Sequence, residues 1–164
     1  MTGCLGRLFG VRQPMDAAVP RPIIDLLDSH HVVALAVADD VGPWVANCFY
    51  AFDAGAMALI VLTSTRTRHG RALLASRRLA GAVAGQPEAI ADIRGVQFEA
   101  TAERLAGGRR AAALCRFARR HPQAALLPTD IWALRLDSVK YTDNCIVFAR
   151  KLHWARATEG GSAS

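Results

Sequence analysis

The stretch VLTSTRTRHGRALLASRRLAG, residues 61–81, leaves an apolar run and enters a segment dense in hydroxyls and cations. It then becomes helix-like and ends on small residues. The change of period, from a strand-like run to a helical segment over residues 66–77, places a strand-to-helix connection at residues 63–69. Thr63, Ser64, Thr65, Arg66, Thr67, Arg68 and His69 all suit an anion: hydroxyls donate, guanidinium donates in a fork, and a helix start offers free backbone N–H groups. A solvated polar connection has the same composition, so this pattern alone leaves both readings open.

Outward from it, the elements on both sides read as strands. HVVALAVA, PWVANCFYAF and AMALIVLT are separated by the turn signals DDVG and DAG, which predicts an antiparallel meander with short connections. In the second strand, Trp44, Ala46, Cys48, Tyr50 and Phe52 share one face, and Val45, Asn47, Phe49 and Ala51 the other. Downstream come LAGAVAG from Leu79 and the long IRGVQFEATAERL, whose alternation changes near Gly95. DIWALRLDSVKYT, CIVFAR and LHWAR supply the last strands. Pro22 opens a first helix. Gly107 and Gly108 open another that stops before Pro122. The expected fold class is mainly β with a few helices (α+β), a small antiparallel barrel. Strands and helices do not alternate as in a doubly wound sheet.

At 164 residues the chain suits one domain. Residues 21–156 form that domain, with residues 1–20 as an N-terminal arm and 157–164 as a disordered tail; Met15 is an alternative start to Met1. The net charge is +6, and eighteen of the twenty basic residues are Arg, which admits an anionic cofactor or substrate. The cysteines Cys4, Cys48, Cys115 and Cys145 form no CxxC, so a zinc site is not expected. Cys48 and Cys145 read as small apolar core residues. No secretory signal and no membrane-length apolar run stand out, which points to the cytoplasm and away from a membrane.

Candidate chemistry is sparse. Asn47 and Gln97 are amides on strands, suited either to a ligand ring or to a neighbouring loop. Asp39, Asp40, Asp53 and Asp143 fall in turns, where Asp is favoured by its local backbone bonding. No nucleophile elbow, metal pair or dinucleotide fingerprint occurs, and no residue is named as catalytic. The basic helix carrying Arg109, Arg110, Arg116, Arg119 and Arg120 holds a single aromatic, Phe117, which disfavours a stacking platform for nucleic acid.

WVANCFYAFD, LTSTRTRH, GQP, IRGVQFEA, WALRLDSVKYTDN and KLHW, in this order, resemble the YhbP family of small bacterial proteins. That family belongs to the FMN-binding split-barrel superfamily, alongside the pyridoxamine phosphate oxidase-like proteins. The resemblance runs from about Ile23 to Trp154. It implies a split β-barrel of antiparallel strands, a homodimer, and FMN in a cleft between the subunits, with deazaflavin or haem as alternatives. By the same resemblance Thr63, Ser64, Thr67, Arg68 and His69 hold the phosphate, Asn47 and Gln97 meet the ring or ribityl chain, and Trp132 and Lys140 approach a partner's site. The paired basic residues that bind substrate in true pyridoxamine phosphate oxidases are missing. Three functional readings are open: a flavin-dependent oxidoreductase acting on a small molecule, a flavin- or anion-binding module without turnover, and a basic barrel for nucleic acid, the least favoured.

Overall fold

The computed structural model describes residues 18–123, 128–145 and 150–157. The chain order is α1 (Arg21–Ser29), β1 (Val32–Asp39), β2 (Gly42–Asp53), β3 (Ala58–Leu62), α2 (Arg68–Ala75), β4 (Arg78–Ala84), β5 (Arg94–Arg104), α3 (Gly107–Arg120), β6 (Ile131–Asp143) and β7 (Arg150–Ala155). Every strand pairing is antiparallel. The lateral order is β3-β2-β1-β4-β5-β6-β7, and β3 also pairs with β6, which closes six strands into a barrel and leaves β7 appended to β6. Long β6 makes closure possible: Ile131–Arg135 pair with β3, Ser138–Asp143 pair with β7, and the whole strand pairs with β5. Between Glu99 and Ala100 the register shifts, leaving Asp137 of β6 as an extra residue opposite β5, a bulge that bends β6.

The expected mainly-β architecture with a few helices is therefore the observed one, and the first three strands form the expected meander. The helix expected over residues 66–77 is shorter, Arg68–Ala75. Thr67 caps its start, and Ser76 is already extended at φ −131°, ψ 121°. The strand expected at CIVFAR falls largely on residues 146–149, outside the described residues, as does Cys4.

Alternation decides what faces inward. Val33, Leu35 and Val37 of β1, Cys48, Tyr50 and Phe52 of β2, and Leu59 and Val61 of β3 are buried in the main core with Val96, Phe98, Leu134, Leu136 and Val139. Ile23, Leu26 and Leu27 of α1 join that core, and Tyr50 Oη donates to the Leu27 carbonyl at 2.7 Å. A second core lies outside the barrel wall, where Ala113 and Phe117 of α3 cover Ala51, Ile60 and Ile131.

Packing inside the barrel is tight where β4 crosses. A Cβ placed on Gly81 would lie 2.4 Å from Phe98 Cζ and 2.8 Å from the Ala34 carbonyl oxygen. The Phe98 ring thus occupies the space a side chain on β4 would take. Gly81→Ala is expected to destabilise the protein by about 1–3 kcal/mol, the usual cost of overpacking. Urea unfolding of the two proteins measures this, and equal midpoints would contradict the close packing described.

Candidate functional site

The connection after β3 is rigid because its polar groups bond one another. The Thr63 N–H donates to the Asp130 carbonyl (3.1 Å), and the Thr63 carbonyl accepts from buried Trp132 Nε1 (3.1 Å). Thr63 Oγ1 lies 2.6 Å from His69 Nε2. Thr67 Oγ1 donates to the Ser64 carbonyl (2.8 Å) and accepts from the Gly70 N–H (3.0 Å), capping α2. Ser64 Oγ accepts from the Arg66 N–H, and the Thr65 N–H donates to the Asp130 carboxylate (3.1 Å). The turn is so close that a Cβ on Gly70 would lie 2.1 Å from the Ser64 carbonyl oxygen. Burial lowers the His69 pKa, which favours the neutral ring.

Arg68 is also occupied. Its Nε donates to Asp39 Oδ2 (2.7 Å) and its Nη2 to Asp39 Oδ1 (2.9 Å), a two-bond fork on a carboxylate. The guanidinium lies over the Trp44 ring, 4.6 Å from its centroid. Asp39 Oδ1 also accepts from the Val41 and Gly42 N–H groups in the β1–β2 turn. The Arg68 hydrogen bonds, with help from those turn N–H groups, lower the Asp39 pKa to about 2 against a partial desolvation cost.

The two amides lie elsewhere. Asn47 pairs with Ala34, Ala34 with Ala82, Ala82 with Gln97, Gln97 with Lys140, and Lys140 with His153. These residues form one lateral line across the outer face of the barrel. The next line pairs Val45, Ala36, Ala80 and Glu99. Four alanines on β1 and β4 thus make the floor of a shallow trough, with Val45, Asn47, Gln97 and Glu99 as exposed rims. The rims stand three strand spacings apart, about 14 Å. Beyond Val45 and Asn47 the rim continues to Phe49, 57% exposed and stacked on His31.

The structure therefore gathers Thr63, Ser64, Thr67, Arg68 and His69 in one place and Asn47 with Gln97 in another. Trp44 and Arg68 lie over the inward-facing side of the β1–β2 hairpin end, whereas Asn47 projects outward. Trp132 is 2% exposed and reaches the connection through its bond to the Thr63 carbonyl. Two participants escaped sequence reasoning: Asp39 and Asp130, whose carboxylates bond to donors 29 and 65 residues away.

Two further expectations change. Cys145 is exposed and its Sγ accepts from Arg94 Nε at 3.1 Å, so it is no core residue; Cys48 is buried as expected. Asp143 is buried, accepting from Tyr141 Oη (2.9 Å) and the Cys145 N–H (2.8 Å), so it ties down the end of β6 rather than sitting in a solvated turn. Among the described residues no group of three His, Cys, Asp or Glu side chains forms a metal site, and no helix is long and apolar enough to cross a membrane.

No family model matches the chain. A UPF0306 protein of Serratia proteamaculans is 44% identical over 134 residues, 82% of this chain and 93% of its own length. The UPF0306 protein YhbP of Salmonella newport is 44% identical over 137 residues, 84% of this chain and 93% of its own. The chain belongs to the UPF0306 (YhbP) family. Solved structures share the fold at lower identity. A haem-binding protein of Mycobacterium smegmatis matches at TM-score 0.67 and 20% identity, over 83% of this chain and 59% of that one. HutZ, a haem storage protein of Vibrio cholerae, and an FAD-binding protein of Mesorhizobium loti each match at TM-score 0.60 and 16% identity. Each covers 71% of this chain, with 89% of HutZ and 88% of the FAD-binding protein. This YhbP-family chain thus shares its barrel fold with haem-binding and FAD-binding proteins.

The Asp39–Arg68 pair makes a pH prediction. Asp39 has a folded pKa below its ordinary 3.8, so its contribution is full above about pH 4 and is lost as pH falls towards 2. The stability difference between the native protein and Asp39→Asn, measured by urea unfolding at successive pH values, should be constant near neutrality and shrink below pH 4. A difference that persists undiminished at pH 2 would show that the carboxylate charge is not what holds Arg68.

Proposed function

We propose that this protein binds a flavin mononucleotide between two copies of the chain and acts as a flavin-dependent oxidoreductase on a small molecule in the cytoplasm. The observation that carries this reading is the trough: a flat alanine floor edged by the amides of Asn47 and Gln97. A planar ring needs a floor without protruding side chains, and its polar edge needs donors and acceptors; side-chain amides offer both. The phosphate would be held at residues 63–69. Arg68 already grips a carboxylate there in the two-bond geometry a phosphate oxygen pair would use, so Asp39 stands in for the ligand's anion and competes with it.

A homodimer fits the same features. The ring face and the phosphate face do not meet within one chain, and a second copy would bring a complementary face to each. Val45, Phe49 and Val32, at 61%, 57% and 39% exposure, form an apolar border to the trough that a partner would cover. FMN would supply hydride or electron transfer, while this chain binds the ring, orients it and excludes water. Flavin binding without turnover uses the same residues and differs by the absence of reduction with a substrate. Haem is the second reading: neighbours in fold bind it, and exposed His153 lies on the Asn47–Gln97 line, where an imidazole could ligate iron.

The visible spectrum of the purified protein separates flavin from haem. Titration then tests the placement. Arg68→Ala should weaken FMN by about three- to tenfold, less than an unopposed fork would give because Asp39 already occupies it, and leave riboflavin, which has no phosphate, nearly unchanged. Asp39→Asn, by freeing the fork, should tighten FMN instead. Equal losses of FMN and riboflavin in Arg68→Ala would remove the phosphate from this site.

Val45→Glu tests the shared cleft. It places a charge on the apolar border without touching the core, and should give a folded monomer by sedimentation equilibrium that has also lost flavin. A flavin-binding monomer would refute the two-copy cleft.

A further inference from the structure

A second cleft lies beside α3, away from the trough. It has a volume of about 460 Å³, within the range of small-molecule sites. Ala51 and Phe52 of β2, Ala112 of α3 and Asp28 of α1 are among its lining residues; Ala51 is on the face of β2 that α3 covers, whereas the Phe52 side chain turns into the barrel. Ala51 and Phe52 come four and five residues after Asn47 along β2, about 13–17 Å at strand rise. The two sites therefore occupy different parts of the strand.

Arg116, Arg119 and Arg120 all line this cleft, as does the exposed Cys115. Ala112, Cys115, Arg116 and Arg119 have the i, i+3, i+4, i+7 spacing of one helical face. Two of the three cations are partly engaged. Arg116 lies 3.3 Å from Asp53, and Arg120 donates to the His30 carbonyl, a neutral acceptor, at 3.2 Å. Arg119 has no hydrogen bond or ion pair among the described residues, and α3 itself carries no acidic residue. Cations in a last helical turn complement the helix dipole. That need is met on any side of the helix, and does not call for three guanidinium groups lining one cleft.

We infer that the α3 cleft is a second binding site, taking a small organic anion whose phosphate or carboxylate head meets Arg119 and Arg120 while its apolar body lies against Ala51 and Ala112. A phosphomonoester with an aromatic body combines both requirements. The Asp53 partner leaves Arg116 as a side wall, and Asp28 sets the limit of the head group's reach by repulsion.

Cys115 supplies a reporter inside the cleft. Alkylation by iodoacetamide, measured residue by residue with peptide mass spectrometry, should slow saturably at Cys115 as phenyl phosphate is added at millimolar concentration. Alkylation of exposed Cys145, outside the cleft, should not change. Inorganic phosphate, which lacks the body, and benzyl alcohol, which lacks the charge, should each protect less. Arg119→Ala, a surface change without a partner to lose, should raise the half-protecting concentration at least tenfold, and Arg119→Lys should restore part of it. No protection of Cys115, equal protection of Cys145, or protection unaltered in Arg119→Ala would overturn the inference. FMN titration of the same Arg119→Ala protein should match the native protein, so failure of the flavin reading and failure of this one are distinguished.

Discussion

One carboxylate holds two parts of the molecule in place. Asp39 accepts from the Val41 and Gly42 N–H groups and from Arg68 Nε and Nη2. The first pair closes the β1–β2 turn; the second fastens the start of α2 to that turn, 29 residues earlier in the chain. The half-exposed Trp44 ring then lies under the guanidinium. The connection at residues 63–69 is rich in groups that favour anions, and the chain provides two anions of its own: Asp39 for Arg68, and Asp130 for the Thr65 N–H. An external phosphate at Arg68 would meet an occupied fork. Its affinity would be the difference between two similar grips rather than the full strength of one.

The outer face obeys a different constraint. Alanine is an unremarkable strand former, and β-branched or aromatic residues would serve the sheet better. Yet β1 and β4 place Ala34, Ala36, Ala80 and Ala82 side by side where they face outward. On the inner side the same two strands carry Val33, Leu35, Leu79 and Val83, all buried. The strands therefore gain their stability from the inward face, and the outward face is free to be flat. Larger residues return on the flanking strands, with Val45, Asn47 and Phe49 on β2 and Gln97 and Glu99 on β5. A floor with rims results from side-chain size alone, without any distortion of the backbone.

Much of the fold could be read from alternation and turns. VVALAVA, the DDVG and DAG turns, and the unbroken apolar run before Thr63 each carry a local signal that the tertiary structure keeps. The helix after β3 was legible because Thr67 and the free donors of its first turn are local too. What could not be read is whatever depends on distant pairing. The Arg68–Asp39 bond joins two segments whose separate patterns look like an ordinary turn and an ordinary helix start. The line from Asn47 through Ala82 to Gln97 exists only once β4 is set beside β1. Cys145 departs from its expected burial for the opposite reason: its apolar sequence neighbours describe its strand-like context, whereas its exposure and its bond to Arg94 depend on where β6 ends.

Strand parity connects the two halves of the candidate site. Trp44 and Asn47 are three residues apart on β2, an odd spacing, so they project to opposite faces however the barrel twists. Arg68 goes with Trp44, since it stacks on that ring, and Gln97 goes with Asn47, since they share a register line. No rotamer change can bring the guanidinium fork and the amide rims to one face of the strand. A ligand that used both would have to pass over the hairpin end, or be enclosed by a second copy that turns its own fork towards this trough. The apolar border at Val32, Val45 and Phe49 lies on the trough side of that divide, which is the side a second copy would have to cover. The case for a shared cleft thus rests on an alternation that was present in the sequence and on a pairing that was not.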